Sequence, residues 1–255
     1  MFDNHYTPEG YGIIKNLNLL GLQISSYTFF VGLGILLGLI FWYLSLNKST
    51  ERRKYSFEIT ISALLGGLIG SKIPVLIENR NLIQFNNETL WIILVSGKSI
   101  VGGLIGGFIG IYIVKHLLGI KKMRFGNDIA PAVVLAMAIG RIGCFLTGCC
   151  YGVESHIHHL GIDFGDGIYR YPTQLVELVF CLLLFGYFIY LKSTRELKPG
   201  ELYLTLVIYY LSFRFVIEFI RATPKDVLYL SIYQVVSLLV ILFIILKRKV
   251  LNYGK

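Results

Sequence analysis

Long apolar runs recur along the whole chain and alternate with short connections that are polar and often basic. Each run approaches the roughly 20 residues that an α-helix needs to cross about 30 Å of hydrocarbon. The pattern predicts an all-α, polytopic membrane protein whose residues 1–255 form a single transmembrane domain. We assign about seven transmembrane helices, at residues 24–46, 57–77, 99–118, 128–148, 173–192, 202–221 and 227–246.

The distribution of lysine and arginine predicts how these helices are oriented. Basic residues concentrate in the first, third and fifth connections and in the C-terminal tail, whereas the connections 78–98 and 149–172 hold few of them. Cytoplasmic loops carry the excess of Lys and Arg, so the N-terminus is expected outside and the C-terminus inside. Residues 1–22 lack the features of a cleavable signal peptide. They are expected to form an interfacial N-terminal arm, with a disordered tail as the alternative, and 149–172 an outer loop.

Composition and charge exclude two broad classes of protein. The chain is 55% hydrophobic and 15% charged, whereas soluble domains average about 25% charged residues. The net charge of +9 is spread over alternate loops and does not form one basic stripe. A soluble domain and a nucleic-acid-binding protein are therefore both disfavoured.

Three arginines lie inside the predicted helices, namely Arg141, Arg214 and Arg221. A charge at the centre of a membrane helix costs about 2.5–3.5 kcal/mol on insertion scales, so such residues face a partner, a water-filled cavity or a charged ligand. A guanidinium group grips phosphate with two parallel hydrogen bonds. These arginines predict a binding site for the head group of an anionic lipid.

The buried charges are expected to meet at one level in the outer half of the bilayer. At 1.5 Å per residue, Arg141 lies roughly 10 Å below the outer end of the fourth helix. Spacings of three and four residues place the charges of the sixth helix on one face. The converging residues are Arg141, Gln174, Glu177, Arg214 and Glu218, while Arg221 is expected nearer the outer surface. The alternative is an internal ion-pair network that only locks the bundle, with Glu177 neutralising Arg141 and Glu218 neutralising Arg214.

Glycines and cysteines complete the set of candidate residues. Glycines crowd the second and third helices, where small residues let helix backbones approach closely. Cys144, Cys149 and Cys150 cluster near three histidines, yet their spacing fits no standard zinc pattern. We therefore expect no metal and no cofactor. The thiols are interpreted as packing residues or cavity lining, with a disulfide and a proton relay beside Arg141 as alternatives.

Several segments carry a family resemblance along almost the full chain. The segment GRIGCFLTGCCYG, from Gly140 to Gly152, is similar to the motif G-R-x-G-N-F-x-N-x-E-x-x-G. YPTQLVE is similar to H-P-S-Q-L-Y-E, and the segment from Arg214 to Arg221 matches R-F-x-x-E-F-x-R in full. The chain resembles the prolipoprotein diacylglyceryl transferase family. In this resemblance, Tyr27 in ISSYTFFVG corresponds to the family's catalytic tyrosine.

This resemblance implies a function, partners and a set of site residues. Enzymes of the family move the diacylglyceryl group of phosphatidylglycerol onto the cysteine thiol of a preprolipoprotein in the bacterial cytoplasmic membrane. The expected partners are phosphatidylglycerol or a similar anionic phospholipid, and a lipobox peptide or an unknown acceptor. The resemblance implies catalytic roles for Tyr27, Arg141 and Arg214. It implies substrate-binding roles for Gly102, Gly103, Cys144, Gly152, Gln174, Glu177, Glu218 and Arg221.

The chain departs from the family motifs at several polar positions. Val101 stands where S-F-H-G-G has its histidine, and Cys144 and Cys149 replace the signature asparagine and glutamate. The general base is therefore left open among Tyr27, Glu177 and the cysteines of 144–150. Two other functions also stay open: a non-catalytic lipid-binding or lipid-translocating protein of the same fold, and a transporter for a small anion.

Overall fold

The computed structural model describes residues 12–19, 21–45, 55–78, 98–120, 125–225 and 229–253. Within these ranges the chain forms seven α-helices and two short β-hairpins. The helices are α1 (Ser26–Ser45), α2 (Ser56–Glu78), α3 (Ile100–Leu117), α4 (Phe125–Leu146), α5 (Thr173–Thr194), α6 (Glu201–Ile217) and α7 (Ile232–Tyr253). Five of them, α1 to α5, are long and apolar enough to cross a membrane. The prediction of an all-α, polytopic membrane protein is confirmed, while the orientation of its termini stays a prediction.

The sixth predicted helix ends earlier than expected. The α-helix stops at Ile217, and tight hydrogen bonds follow from Phe219 N to Val216 O (3.2 Å) and from Ile220 N to Ile217 O (3.1 Å). Arg221 then lies in an isolated antiparallel bridge with Gly152. The prediction that one helix continues to residue 221 is wrong, because backbone pairing with the loop 149–172 replaces the last helical turn.

Glycines bring α2 and α3 into close backbone contact. A Cβ atom added at Gly106 would collide with the carbonyl oxygen of Gly66, and one added at Gly102 would collide with that of Gly70. Neither position has room for a side chain. The glycine-rich pattern therefore serves the close approach of these two helices.

The other helices pack around a shared apolar core. Helix α1 lies against α4, where a Cβ at Gly34 would stand 2.7 Å from Ala136 O. Fully buried side chains of the core include Ile59 on α2, Phe188 on α5 and Tyr233 on α7. Helix α4 contacts α1, α5 and α6, so its side chains occupy the middle of the bundle.

One end of the bundle is covered by two short hairpins, and we call it the capped end. Strands β1 (Asn16–Leu19) and β2 (Leu22–Ser25) pair antiparallel just before α1. Strands β3 (Ile162–Asp163) and β4 (Tyr169–Arg170) form the second hairpin, inside the loop 149–172. Gly12 N donates to Phe164 O at 2.6 Å, which ties the two caps together. Residues 1–11 of the predicted arm lie outside the described residues.

Candidate active site

A buried carboxylate joins three helices near the capped end. The Oε1 atom of Glu177 on α5 lies 2.6 Å from Nη2 of Arg141 on α4. The same oxygen accepts a hydrogen bond of 2.8 Å from the Tyr210 hydroxyl on α6. Its second oxygen lies 3.9 Å from Nη1 of Arg214, one turn further along α6. Glu177 therefore holds both arginines at one level, as the sequence predicts.

A second buried carboxylate continues the cluster beyond the end of α6. Oε2 of Glu218 lies 3.1 Å from Nε of Arg214 and 3.7 Å from Nε of Arg221. The Thr223 hydroxyl donates to Oε1 of Glu218 at 2.5 Å. Although the helix ends at residue 217, the turn keeps the i, i+3 and i+4 contacts between these charges.

The ion-pair network of the alternative interpretation is therefore present. It does not neutralise all three guanidinium groups, and it does not occupy all of their N–H donors. Three guanidinium groups meet two carboxylates, which leaves one positive charge in excess among these five side chains. Each guanidinium carries five N–H donors. The Nε atom of Arg141 has no hydrogen-bond partner among the described residues. The cluster retains both net charge and donors for an anion.

A cavity of about 570 Å³ opens beside Arg141 and Arg214. Its polar lining is concentrated at the capped end and includes Tyr27, Lys98, Arg141, Cys144, Cys150 and Arg214. Apolar side chains line most of the remaining wall, among them Val31, Ile35, Leu39, Trp42, Leu64, Leu68 and Val133. A ligand that is anionic at one end and aliphatic along its length matches this division.

Tyr27 occupies the first turn of α1 on the wall of the cavity. The preceding residue, Ser26, is fully buried and its hydroxyl donates to Ile14 O at 2.5 Å, so the segment just before β1 fixes the start of the helix. The ammonium of Lys98 lies 5.8 Å from the centre of the Tyr27 ring. The tyrosine is thus held at the polar end, between the apolar wall and the arginines.

Three cysteines, one in the last turn of α4 and two just after it, lie next to the arginine cluster. The sulfur atoms of Cys144, Cys149 and Cys150 are all within 4.8 Å of one another. Arg141 Nη1 lies 3.8 Å from the Cys144 sulfur. Hydrogen bonds with the Cys144 and Cys150 thiols, together with burial, raise the pKa of the Cys149 thiol well above its ordinary value. All four cysteines of the chain lie in the described residues and are thiols, so the disulfide alternative is not seen.

The predicted site residues divide into a cavity wall and a supporting layer. Tyr27, Gly103, Arg141, Cys144 and Arg214 line the cavity. The others lie outside its lining and hold that wall in place: Gly102, Gly152, Gln174, Glu177, Glu218 and Arg221.

The supporting contacts are specific. Gln174 Nε2 donates to Cys149 O at 2.6 Å, which fixes the backbone of the cysteine segment. Gly152 packs against Tyr171 and pairs with Arg221 through the backbone, so its lack of a side chain is required there. Val101, at the position of the family's histidine, is 1% exposed and belongs to the apolar core.

Sequence reasoning missed several members of the cluster. Tyr210 lies four residues before Arg214, a helical spacing that could have placed its hydroxyl beside the same carboxylate. The Arg214 guanidinium also lies 5.0 Å from the centre of the Tyr233 ring. Lys98 and Thr223 carried no usable signal, because both enter the site from connections between helices.

Comparison with known proteins agrees with this geometry. The family model described as prolipoprotein diacylglyceryl transferase matches residues 15–247. The chain belongs to this family. The motif resemblance is thereby confirmed over nearly its full length.

Individual relatives support the same membership. The chain is 32% identical to the phosphatidylglycerol–prolipoprotein diacylglyceryl transferase of Clostridium tetani, over 88% of this chain and 92% of that protein. It is 31% identical to the phosphatidylglycerol–prolipoprotein diacylglyceryl transferase 2 of Clostridium perfringens, over 88% and 90%. For the protein of the same type in Staphylococcus aureus strain Newman the identity is 30%, over 93% and 88%. The chain thus covers most of the length of each relative.

Proposed function

We propose that this protein transfers the diacylglyceryl group of phosphatidylglycerol, or of a similar anionic phospholipid, to the cysteine thiol of a prolipoprotein. The observation that carries the proposal is the cavity whose polar end holds Arg141 and Arg214 and whose remaining wall is mostly apolar. Membership of the transferase family and the names of the relatives support the same reaction. We place the enzyme in the bacterial cytoplasmic membrane, with the capped end outside.

The arrangement suits the charge that develops during the transfer. The acceptor sulfur forms a bond to the terminal glyceryl carbon, the bond from that carbon to a phosphate oxygen breaks, and glycerol phosphate leaves with the thiol proton. Negative charge therefore grows on the phosphate. Arg141 and Arg214 are preorganised at the end of the apolar cavity, and such fixed charges commonly supply a large part of catalysis.

The contacts of Glu177 argue against this residue as the general base. Glu177 is engaged by Arg141, Arg214 and the hydroxyl of Tyr210, and it lies outside the cavity lining. Its role is to orient the arginines. Tyr27 lies on the cavity wall beside the cysteine segment, so we assign it to the reacting end, where it positions the glyceryl group and the incoming thiol.

The test is a transfer assay with the purified protein in phosphatidylglycerol vesicles and a synthetic lipobox peptide. The peptide should gain the mass of one diacylglyceryl group while glycerol phosphate is released. Arg141→Ala and Arg214→Ala should each lower the rate by on the order of 10²–10³, by analogy with the loss of one oxyanion donor.

Arg195→Ala is the matched control, because it removes an arginine whose side chain is 50% exposed and pairs with Glu201 away from the cavity. It should transfer at the normal rate. Full activity in both cavity variants would overturn the role of the arginines. Release of glycerol phosphate without modification of the peptide would overturn the choice of acceptor.

A further inference from the structure

We propose that Cys144, Cys149 and Cys150 form a three-thiolate site for one soft divalent cation of the Zn²⁺ type, at the polar end of the cavity. Their sulfur atoms lie within 4.8 Å of one another. The linear spacing of these cysteines matches no standard zinc motif. The turn that follows α4 is what brings the sulfurs together.

The sulfur positions are near those that a metal requires. A tetrahedral zinc ion with Zn–S bonds of about 2.3 Å holds its sulfurs about 3.8 Å apart. The observed upper limit of 4.8 Å is therefore within about 1 Å of that geometry. Thiolate sulfur is a soft ligand, which selects zinc-like ions over magnesium or calcium.

The backbone of the cysteine segment is held in a conformation that few residues adopt. Cys150 has a φ of 62°, in the left-handed region. Such a conformation is strained for a residue other than glycine and persists where the surroundings hold it. The hydroxyl of Thr173 donates to Cys150 O at 2.7 Å, and Gln174 Nε2 donates to Cys149 O at 2.6 Å. Helix α5 thus fixes two of the three ligand residues from outside the cluster.

Two polar side chains lie beside the sulfurs. Three thiolates and one divalent cation would carry a net charge of −1, and the guanidinium of Arg141 lies 3.8 Å from the Cys144 sulfur, where it faces that charge. The Thr147 hydroxyl lies 3.5 Å from the Cys149 sulfur. Partners of this kind orient metal ligands and tune the metal.

The fourth coordination position would open toward the cavity, because Cys144 and Cys150 both line it. Three protein ligands with one open position are typical of catalytic zinc sites. In a step that rests on the proposed function, the acceptor thiol takes this position. A thiol that coordinates such a cation is deprotonated outright, and its proton leaves with the glycerol phosphate. This arrangement supplies the thiolate without the histidine that the family motif has at Val101.

Metal binding is tested first, without reference to activity. The full-length chain in detergent, reduced with a phosphine, is titrated with Cd²⁺ and monitored by thiolate-to-metal charge-transfer absorption. We expect one Cd²⁺ per chain, displaced by Zn²⁺. Each of Cys144→Ala, Cys149→Ala and Cys150→Ala should weaken binding on the order of a hundredfold or more, beyond the roughly 10–100-fold cost of losing a second-shell partner.

Cys181→Ala is the matched control, because Cys181 lies fully buried in the apolar core of α5 and its loss should leave the Cd²⁺ band intact. Thermal unfolding of each variant in detergent verifies that it is folded. Absence of the band in the normal protein, or its survival in all three cluster variants, overturns the metal site.

The role of the open position is tested on the Co²⁺-loaded protein. A lipobox peptide should shift the visible absorption bands of the bound Co²⁺, whereas the same peptide with serine in place of cysteine should leave them unchanged. If a chelator removes the metal and transfer continues at full rate, the catalytic role of the metal is overturned while the transferase proposal stands. If no transfer occurs with the metal bound, the proposed function itself fails.

Discussion

Arg141 and Glu177 form a buried ion pair between α4 and α5, with Nη2 and Oε1 2.6 Å apart and side chains that are 5% and 1% exposed. The pair fixes one end of the guanidinium while the residue still lines the cavity. Glu177 thus fixes the positions of the Arg141 and Arg214 side chains, and the order of the site depends on this carboxylate.

We therefore expect Glu177→Gln to destabilise the fold strongly. Removing one partner of a buried ion pair leaves an uncompensated charge and costs about 3–5 kcal/mol. Thermal or denaturant unfolding in detergent measures the loss. Glu201→Gln breaks an exposed pair with Arg195 and should cost about 1 kcal/mol or less. Equal stability of the two variants would contradict the central role of Glu177.

Tyr27→Phe should lower diacylglyceryl transfer while leaving the protein folded. The substitution removes a hydroxyl at the polar end of the cavity and keeps the ring that packs there. The rate should fall on the order of 10²-fold if the hydroxyl orients the reacting groups or accepts or donates a proton during transfer. The control is Tyr43→Phe, on the same helix and 62% exposed. A normal rate in Tyr27→Phe would remove this tyrosine from the reaction.

A larger side chain in the apolar part of the cavity should weaken lipid binding while the arginines stay unchanged. Val133 lines that wall, and Val133→Trp would occupy space that we assign to the acyl chains. A loss of binding free energy of about 1–3 kcal/mol from overpacking would raise the KM for phosphatidylglycerol roughly 5- to 150-fold. Val216→Trp places the same side chain at a position that is 66% exposed and should leave KM unchanged. An unchanged KM in Val133→Trp would argue against acyl chains in this space.

The contact between α2 and α3 predicts a cost for any side chain at Gly106. A Cβ there would collide with the backbone of Gly66, so Gly106→Ala should destabilise the protein by about 1–3 kcal/mol. Gly32→Ala on α1 meets nothing within 4 Å and should be neutral or slightly stabilising. Unfolding in detergent compares the two. Equal stability would show that the helices can separate to accept a methyl group.

Sequence alone predicted the features that depend on local pattern. Helix positions follow from long apolar runs, and the meeting of Arg141, Glu177 and Arg214 follows from their depth in three successive helices. The position of Tyr210 could have been predicted in the same way, because this residue shares a helical face with Arg214.

Features that arise from contacts between distant segments could not be predicted from the sequence. The early end of α6 depends on backbone pairing between residues 152–153 and 220–221. Lys98 and Thr223 reach the site from connections, where no periodicity fixes a direction. The meeting of the three sulfurs depends on the left-handed turn at Cys150, which no spacing rule anticipates.

Backbone hydrogen bonds hold the base of the loop 149–172 against the end of α6. Val153 and Ser155 are joined by backbone hydrogen bonds to Tyr171 and Tyr169, and Gly152 pairs with Arg221 beneath them. Insertions or sequence changes at the exposed tip, residues 165–168, are therefore absorbed above these ties. Such a loop can change in sequence over evolution while the guanidinium groups keep their positions.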